Sequence, residues 1–284
     1  MIIAHDNPEI LHAQLEILDS EDTDFYYHLD KRMKINKMDL ERYAKKSKIY
    51  YVDPKRIYWG HYSQVECELR LLEAALNNGT RYNYYHLLSG VDMPLKTCQD
   101  IHEFFEKNSE KEYIHFDKNT VDENIRERIS MYHFFPGRKN WQRMLDGICV
   151  KFQKFMKIDR LKKLQWKVQK GANWFSITDT LAQDIIKNKE KIKTQFRYSF
   201  CGDEVFLQTY VFNSEYCSKL YSDKFDNDYH ACMRLIDWQR GSPYIFGLDD
   251  WKELIECDYM FARKFDYTQK PEIVDKLKEY LNNR

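Results

Sequence analysis

The sequence predicts an α/β protein with a doubly wound sheet. Residues 2–5 form a short apolar run typical of a strand, and the following Asp-Asn-Pro stops the strand and opens a helix over residues 9–18. Residues 24–30 predict a second strand that ends in an acid. Because strand, helix and strand in this order begin a parallel sheet with helices packed on it, we expect the α/β class.

The composition narrows the class of function. The 284 residues include 45 basic and 45 acidic side chains, and this zero formal charge disfavours nucleic acid as the main partner. The seven cysteines include no Cys-x-x-Cys pair, which argues for reduced thiols and against a disulfide framework or a structural zinc site. No apolar run reaches the length of a membrane span and no signal peptide precedes the first strand, so we expect a cytoplasmic protein.

The next elements continue the alternation and lead to a candidate site loop. They are a third strand at 48–52, an amphipathic helix at 64–76 and a fourth strand at 82–88. The fourth strand runs into residues 89–97, which contain Gly90 and Asp92. Ligands of open α/β sheets bind beyond the carboxyl ends of strands, so this loop is either a binding site or an ordinary turn into a helix capped by Thr97.

Two segments in the middle of the chain have alternative interpretations. After a strand at 112–116, residues 117–147 show poor periodicity and many aromatic side chains, which favours a functional loop region. Residues 151–170 hold eight basic side chains against one acid. We interpret this stretch as a helix on an anionic membrane surface, as a cover for a phosphate-bearing substrate, or as a solvated helix with its lysines outward.

Two adjacent acids, Asp203 and Glu204, are the candidate catalytic groups. They follow a turn-capable Cys-Gly pair and precede apolar residues at helical spacing, so we expect them at a helix N-terminus. There the helix dipole favours the ionised carboxylate that a general base needs, whereas the alternative is that Asp203 only caps the helix. Asp226 and Asp228 are interpreted as parts of a polar loop rather than a metal-binding pair, because no apolar strand precedes them.

The remaining segments complete an α/β chain. They predict a strand at 171–177, a helix at 178–187, a strand at 235–238, a short apolar segment at 244–246, a helix at 249–257 and a terminal helix at 272–281. The sequence contains no internal repeat and no low-complexity linker, so a single domain is the economical interpretation.

Several segments, in one order, resemble the core-2/I-branching β-1,6-N-acetylglucosaminyltransferase family, which also includes peptide O-xylosyltransferases. The matching segments are 2–5, 28–31, 59–65, 88–97, 171–175, 203–204, 235–238 and 261–266. The Ser-Gly-x-Asp-x-Pro-x-Lys-Thr loop and the closing Phe-Ala-x-Lys-Phe-Asp are the most specific of them. The resemblance implies a GT-A type fold with a Rossmann-like mixed central sheet flanked by helices, in one domain with a nucleotide-sugar-binding half over about 1–116 and an acceptor-binding and catalytic half over about 117–284.

The resemblance also implies roles for individual residues. Glu204 matches the family's general base. Basic side chains at Lys264 and Arg240 match the positions that bind the diphosphate in place of a metal, although Arg240 stands about one residue out of register. The other residues implied to contact the nucleoside or the sugars are His5, Asp30, Gly90, Asp92, Asp203 and Trp238. No metal and no cofactor are expected beyond the UDP-sugar co-substrate.

The implied function is an inverting, metal-independent transfer of a sugar, with N-acetylglucosamine favoured, from a UDP-sugar to a hydroxyl of a glycan or lipid-linked acceptor. Xylose, galactose or galactofuranose are alternative donor sugars, and a non-catalytic nucleotide- or sugar-binding module is the alternative class. The animal members have a membrane anchor and disulfides, and the sequence shows neither. It therefore resembles a bacterial-type member, for which we expect peripheral contact with the cytoplasmic face of a membrane.

Overall fold

The computed structural model describes residues 1–137, 139–163 and 166–284, with side chains at all of these except 162 and 163. The strands of this part of the chain are β1 (Ile2–Ala4), β2 (Phe25–Leu29), β3 (Ile49–Tyr51), β4 (Tyr84–His86), β5 (Leu88–Ser89), β6 (Asp92–Pro94), β7 (Tyr113–Ile114), β8 (Phe175–Thr178), β9 (Arg234–Ile236) and β10 (Phe261–Arg263). The helices are α1 (Pro8–Leu18), α2 (Lys37–Glu41), α3 (Ser63–Leu76), α4 (Cys98–Lys107), α5 (Glu123–Ser130), α6 (Asn140–Phe155), α7 (Asp179–Lys187), α8 (Lys189–Phe196), α9 (Phe206–Phe212), α10 (Trp251–Glu256) and α11 (Pro271–Asn282).

The first of two compact units comprises residues 1–55, 86–110 and 232–284, and a parallel sheet organises it. The strand order is β3-β2-β1-β5, and Ile2 of β1 pairs with Tyr27 on one side and Leu88 on the other. All five residues of β2 are buried, as expected for a central parallel strand that is covered on both faces. This sheet confirms the predicted α/β class.

A smaller mixed sheet belongs to the same unit. Its central strand β10 pairs antiparallel with β6 and parallel with β9. Helix α1 packs against α11 and β6, and it buries Ile10, Leu11 and Leu15 completely. Pro8 is the first residue of α1, where its missing N–H costs nothing. Strands flanked by helices are the arrangement that the sequence predicts.

The second compact unit comprises residues 56–85 and 111–231. Its sheet has the order β4-β8-β7, and Tyr113 of β7 pairs antiparallel with Ser176 of β8. Helix α3 packs against α7 and against the turn Gly202–Glu204. This packing brings α3 next to the two candidate catalytic acids.

The chain passes between the units several times, because the first unit takes three separate segments and the second takes two. The prediction of one domain with a functional division near residue 116 concerns the binding of donor and acceptor, and it stays a prediction. No helix among the described residues has the length and apolar character needed to cross a membrane.

Several predicted boundaries are wrong. The expected strand at 82–88 is two strands, β4 and β5, which join different sheets. The irregular region 117–147 contains α5 and the first half of α6. The basic stretch 151–170 is not one helix, because α6 ends at Phe155. Part of that stretch, the side chains of 162 and 163 and residues 164–165, lies outside the described residues.

Candidate active site

Asp203 and Glu204 lie in a short 3-10 turn, Gly202–Glu204, that precedes α9. Val205, with a φ of −134°, separates the turn from the helix, which begins at Phe206 and has only seven residues. The prediction that the two acids begin this helix is therefore wrong, and the helix dipole does not explain their charge. The apolar pattern hides this break, because Val205 and Phe206 continue the helical spacing.

Glu204 presents its carboxylate to two cations. Arg128 of α5 donates from a guanidinium nitrogen to Oε2 of Glu204 at 2.9 Å, and Nζ of Lys170 lies 3.8 Å from the same oxygen. The Glu204 side chain is 37 % exposed, so a substrate hydroxyl can reach it. The carboxylate is thus oriented by the protein and accessible from solvent.

Asp203 has the opposite surroundings. It is buried, and its Oδ2 accepts a hydrogen bond from Gln64 of α3 at 3.1 Å. Burial, followed by the negative charge of Glu204, raises the pKa of Asp203 to about 7. Glu68, one helical turn after Gln64, is also buried, and burial together with the charge of Asp203 raises its pKa well above the usual value. A neutral side chain at one of these two acids avoids two unpaired charges in the interior.

The loop before β8 is fitted tightly against the acids. Lys170 donates to Asp117 at 2.5 Å, and the backbone N–H of Gly171 donates to the carbonyl of Glu204 at 3.0 Å. A Cβ atom on Gly171 would lie 1.8 Å from the carbonyl oxygen of His115. Residue 171 must therefore be glycine for the chain to pass this close.

A cavity of about 730 Å³ lies in the second unit. Its walls combine aromatic side chains with a few polar ones: Trp59, His133, Phe135, Pro136, Gly137, Arg143, Asp146, Gly147, Val150 and Phe200. Nδ1 of His133 and Oδ2 of Asp146 are 2.6 Å apart. Burial alone would raise the pKa of Asp146, but the hydrogen bond and charge of His133, together with the backbone N–H groups of Phe134 and Phe135, outweigh burial and hold that pKa below its usual value. Phe200 links the cavity to the acids, because its N–H donates to the carbonyl of Arg128 at 2.9 Å.

In the first unit, the loop between β5 and β6 is fixed by Asp92. Its Oδ2 accepts from the N–H of Ser89 at 2.6 Å, and its Oδ1 accepts from Arg263 at 2.7 Å. Gly90 lies against β1, where a Cβ atom would be 3.0 Å from that of Ala4. Thr97 caps α4 in a capping box, which confirms the predicted helix start. The sugar-binding roles of Gly90 and Asp92 stay predictions.

His5 and Asp30 follow neighbouring parallel strands, β1 and β2, and so lie at the same edge of the sheet. His5 is exposed and has Nε2 3.3 Å from a carboxylate oxygen of Asp6. Asp30 is buried and accepts two hydrogen bonds from the guanidinium group of Arg32, at 2.8 and 2.7 Å. The edge matches the place where open parallel sheets bind ligands, and the nucleoside contacts stay predictions.

The carboxyl-terminal candidates differ in how fully they are paired. Arg240 donates to three carboxylates, of Asp237, Asp250 and Glu253. Lys264 takes part in none of the ion pairs that the described residues form, and Trp238 is 53 % exposed. Arg240 is therefore already neutralised within the protein, whereas Lys264 forms no ion pair with the described residues, and its charge is among the causes that lower the pKa of Asp266.

Sequence reasoning missed three basic residues that hold the candidate acids. They are Arg128 and Lys170, which contact Glu204, and Arg263, which contacts Asp92. Arg263 could have been identified from the sequence, because it precedes Lys264 in the closing motif. Arg128 lies 76 residues before Glu204, and no local pattern joins the two. In the part of the chain that the structure describes, no group of three or more His, Cys, Asp or Glu side chains could hold a metal ion.

Comparison with known proteins decides the family. Residues 1–251 match the sequence model of the Core-2/I-Branching enzyme family. The chain belongs to this family. Membership confirms the resemblance that the ordered motifs predicted.

The family's curated relatives are distant in sequence. Xylosyltransferase 2 from Canis lupus familiaris and from Homo sapiens are each 24 % identical over 274 residues, which cover 90 % of this chain and 30 % of the relative. A xylosyltransferase from Ciona intestinalis is 22 % identical over 287 residues, which are 94 % of this chain and 32 % of the relative. The chain thus spans about a third of the length of these family members.

Among solved structures, the apo form of mouse xyloside xylosyltransferase 1 aligns with 92 % of this chain and 95 % of its own. The sequence identity is 10 % and the TM-score is 0.37. At this level of similarity, the fold of the present chain is described from its own strands and contacts.

Proposed function

We propose that this family member transfers a sugar from a UDP-sugar to a hydroxyl group with inversion at the anomeric carbon, and that Glu204 is the general base. One observation carries the proposal: a carboxylate that is 37 % exposed and held by Arg128 at 2.9 Å, at the position where the family places its base. A general base must be reachable by the proton that it takes and fixed in orientation, and Glu204 meets both conditions.

The chemistry follows from these contacts. As the acceptor oxygen attacks the anomeric carbon, its proton passes to a carboxylate oxygen of Glu204. The bond between the anomeric carbon and the diphosphate breaks, and UDP leaves with the electron pair. Arg128 orients the carboxylate through one of its oxygens, which leaves the other available for the proton.

The leaving diphosphate needs positive charge, and the first unit offers candidates for it. Lys264 forms no ion pair with the described residues, so its ammonium group can bind a phosphate without first breaking an internal contact. Arg240 would have to give up carboxylate partners to do the same. We therefore assign the main diphosphate contact to Lys264, without a metal, and a lesser role to Arg240.

The donor sugar has two leading candidates. N-acetylglucosamine is favoured by the branching-enzyme motifs of the sequence, and xylose is favoured by the names of the curated relatives. Asp92 and Gly90 would contact this sugar, as the family motif implies. Comparing turnover with the two UDP-sugars distinguishes the candidates directly.

The cavity beside Arg128 is the proposed place for part of the acceptor. Trp59 and Phe135 are 45 % and 38 % exposed, and aromatic faces of this kind stack on the apolar faces of sugar rings. His133, Arg143 and Asp146 supply polar groups for hydroxyls. Trp238 in the first unit is a further stacking candidate.

The change Glu204→Gln tests the proposal. We expect turnover to fall by about 10²–10⁴-fold, because the amide cannot accept the proton, while calorimetry shows unchanged UDP binding. Glu215→Gln, which removes an exposed carboxylate elsewhere in the same unit, is the matched control and should leave turnover unchanged. Undiminished transfer by Glu204→Gln would show that another group is the base, and a wild-type protein that binds UDP without any turnover would favour the non-catalytic module.

A further inference from the structure

Exposed apolar side chains are concentrated in one short region. Of the fourteen large apolar or aromatic side chains that the described residues expose, eight lie between residues 134 and 156. They are Phe134, Phe135, Trp141, Met144, Ile148, Phe152, Phe155 and Met156. Single exposed apolar residues are normal on a protein surface, but a cluster of this size indicates an interaction site.

Five of these side chains form one face of α6. They recur three or four residues apart, so they line one side of the helix, and their exposed fractions run from 52 % to 81 %. The members are Trp141, Met144, Ile148, Phe152 and Phe155. This stripe, which we call the apolar face of α6, points away from the protein.

Polar side chains hold α6 to the rest of its unit. Asp146 pairs with His133, and Gln153 exchanges hydrogen bonds with the backbone of Tyr132 at 2.7 and 2.9 Å. At about 100° per residue, Asp146 and Gln153 lie roughly 140–160° around the helix from the centre of the apolar face. The usual arrangement of a surface helix, with apolar residues inward, is reversed here.

The segment that carries this face is positively charged. The basic residues on α6 and just beyond its ends are Lys139, Arg143, Lys151, Lys154 and Lys157, and all of them are exposed. Lys154 pairs with Glu127, and Arg143 lines the cavity on the opposite side of the helix. The acid of the same segment, Asp146, is 14 % exposed and bonded to His133. Lys151 follows Ile148 by three residues and borders the apolar face directly.

We propose that the apolar face of α6 binds the surface of an anionic lipid bilayer. Aromatic and aliphatic side chains would enter the headgroup boundary, and the neighbouring lysines would meet lipid phosphates, as in other interfacial amphipathic helices. A second copy of the chain fits this face less well, because a two-fold contact would bring Lys151 and its neighbours close to their own copies. The inference moves the predicted membrane contact from 151–170 to 141–157.

The location of α6 suggests which acceptor the protein uses, and this part rests on the proposed function. Arg143, Asp146, Gly147 and Val150 of the same helix line the cavity beside Arg128. A helix lying on a bilayer would therefore hold that cavity at the membrane surface. An acceptor saccharide carried on a lipid anchor would reach it without leaving the membrane.

The experiment is co-sedimentation of the full chain with vesicles of phosphatidylcholine alone and with about one third phosphatidylglycerol. We expect binding to the anionic vesicles that weakens as salt is added. Phe152→Ser/Phe155→Ser should weaken it by at least about tenfold. Lys151→Gln/Lys157→Gln should weaken it by roughly 10- to 30-fold at low salt. The matched control, Met38→Ser/Leu248→Ser, removes two side chains that are 64 % and 48 % exposed in the first unit and should bind like the wild type.

Two results would overturn the inference. One is equal binding, or equal lack of binding, by the wild type and Phe152→Ser/Phe155→Ser. The other is a wild-type dimer in light scattering that this double variant converts to a monomer, which would make α6 a protein interface. Vesicle binding is measured without donor or acceptor, and Glu204→Gln should retain it in full. A failure of the membrane inference is therefore distinct from a failure of the proposed glycosyl transfer.

Discussion

Asp203 and Glu204 are adjacent in the chain but have opposite environments. Asp203 is buried and shares the interior with Glu68, whereas Glu204 is partly exposed and contacts Arg128 and Lys170. Two neighbouring carboxylates with such different surroundings can divide their roles, one as a buried structural acid with a raised pKa and one as an accessible base. The contacts thus favour Glu204 as the one catalytic carboxylate of this turn.

The raised pKa of Asp203 predicts how stability depends on pH. Its ordinary value is 3.8 and its folded value is about 7, so between these values the folded state binds more protons than the unfolded state. The free energy of unfolding therefore falls as the pH rises from about 4 to about 7, by an amount on the order of 2–4 kcal/mol. Asp203→Asn removes this loss. In urea unfolding, the free energy of unfolding of the variant relative to that of the wild type should therefore rise as the pH goes from about 4 to about 7.

Asp223→Asn is the control for Asp203→Asn, because it removes an exposed carboxylate of the same unit. If both variants change with pH in the same way relative to the wild type, burial of Asp203 is not the cause.

Arg128 acts on the proposed reaction only through Glu204, so it is a positioning residue. We expect Arg128→Gln to lower kcat by roughly 10- to 100-fold with little change in KM for the donor, because a loosely held base reaches the acceptor proton less often. Arg128→Lys should restore part of the loss, since an ammonium can replace one hydrogen bond but not the geometry of the guanidinium. Steady-state kinetics provide the measurement.

Arg126→Gln is the natural comparison for Arg128→Gln, since Arg126 lies two residues earlier on α5 and pairs with Asp159 at 2.6 Å. A similar loss of kcat in both variants would mean that α5 as a whole, rather than the contact with Glu204, is needed.

At the residue scale, the sequence revealed acids more readily than their partners. Asp203 and Glu204 stand side by side and attract notice as a pair. Lys170 and Arg128 come to Glu204 from 34 and 76 residues away, by folding alone. Their positions carry no mark in the sequence, since charged residues on exposed helices and loops look the same.

At the scale of elements, the loop that leads into β8 limits where Glu204 can lie. Gly171→Ala should lower the free energy of unfolding by at least about 3 kcal/mol, because the added Cβ would meet a backbone carbonyl that cannot move freely. Chemical denaturation measures the change. Gly147→Ala in α6 is the contrasting variant: its Cβ would meet no atom within 4 Å, and the better helix propensity of alanine should stabilise the protein by up to about 1 kcal/mol.

Equal effects of the two glycine changes would contradict this account of the loop. A folded Gly171→Ala protein with normal stability would show that the carbonyl of His115 can shift, and the close passage of the chain would then not be essential.

Helices and strands with a clear period were predicted well, and elements that break the period were not. The starts of α1 and α4 followed from Pro8 and Thr97. Helix α6 is an exception, because its apolar residues do recur at helical spacing but are divided between the predicted irregular region 117–147 and the basic stretch 151–170. The split between β4 and β5 was hidden in one segment of mostly aromatic and aliphatic residues, since a change of sheet leaves the local composition unaltered.

At the scale of the whole molecule, the proposed metal-free mechanism predicts how ligands stabilise the protein. UDP-sugars should raise the melting temperature, because they bind the folded state only, and the preferred donor should raise it most. The same shifts should appear with and without EDTA if Lys264 and its neighbours supply the charge that binds the diphosphate. A shift that disappears with EDTA and returns with Mg²⁺ or Mn²⁺ would contradict the metal-free proposal.

The family could be predicted from the order of short motifs along the chain, because each motif keeps its residues together. The two compact units could not be predicted, because they are defined by which distant segments touch. Strand β10, for example, finds its partner β6 about 170 residues earlier, at Pro94 and its neighbours. Sequence periodicity describes one segment at a time and contains no such pairing information.

The route of the chain through the first unit has a consequence for its biogenesis. β6 is made early, yet the strand that pairs with it, β10, leaves the ribosome about 170 residues later. During translation β6 therefore has no partner strand in the mixed sheet while residues 111–231 are added. Such long-range pairings form slowly. A chain that stopped before residue 232 would lack β9, β10, α10 and α11. We therefore expect that the amino-terminal part does not fold as an independent domain.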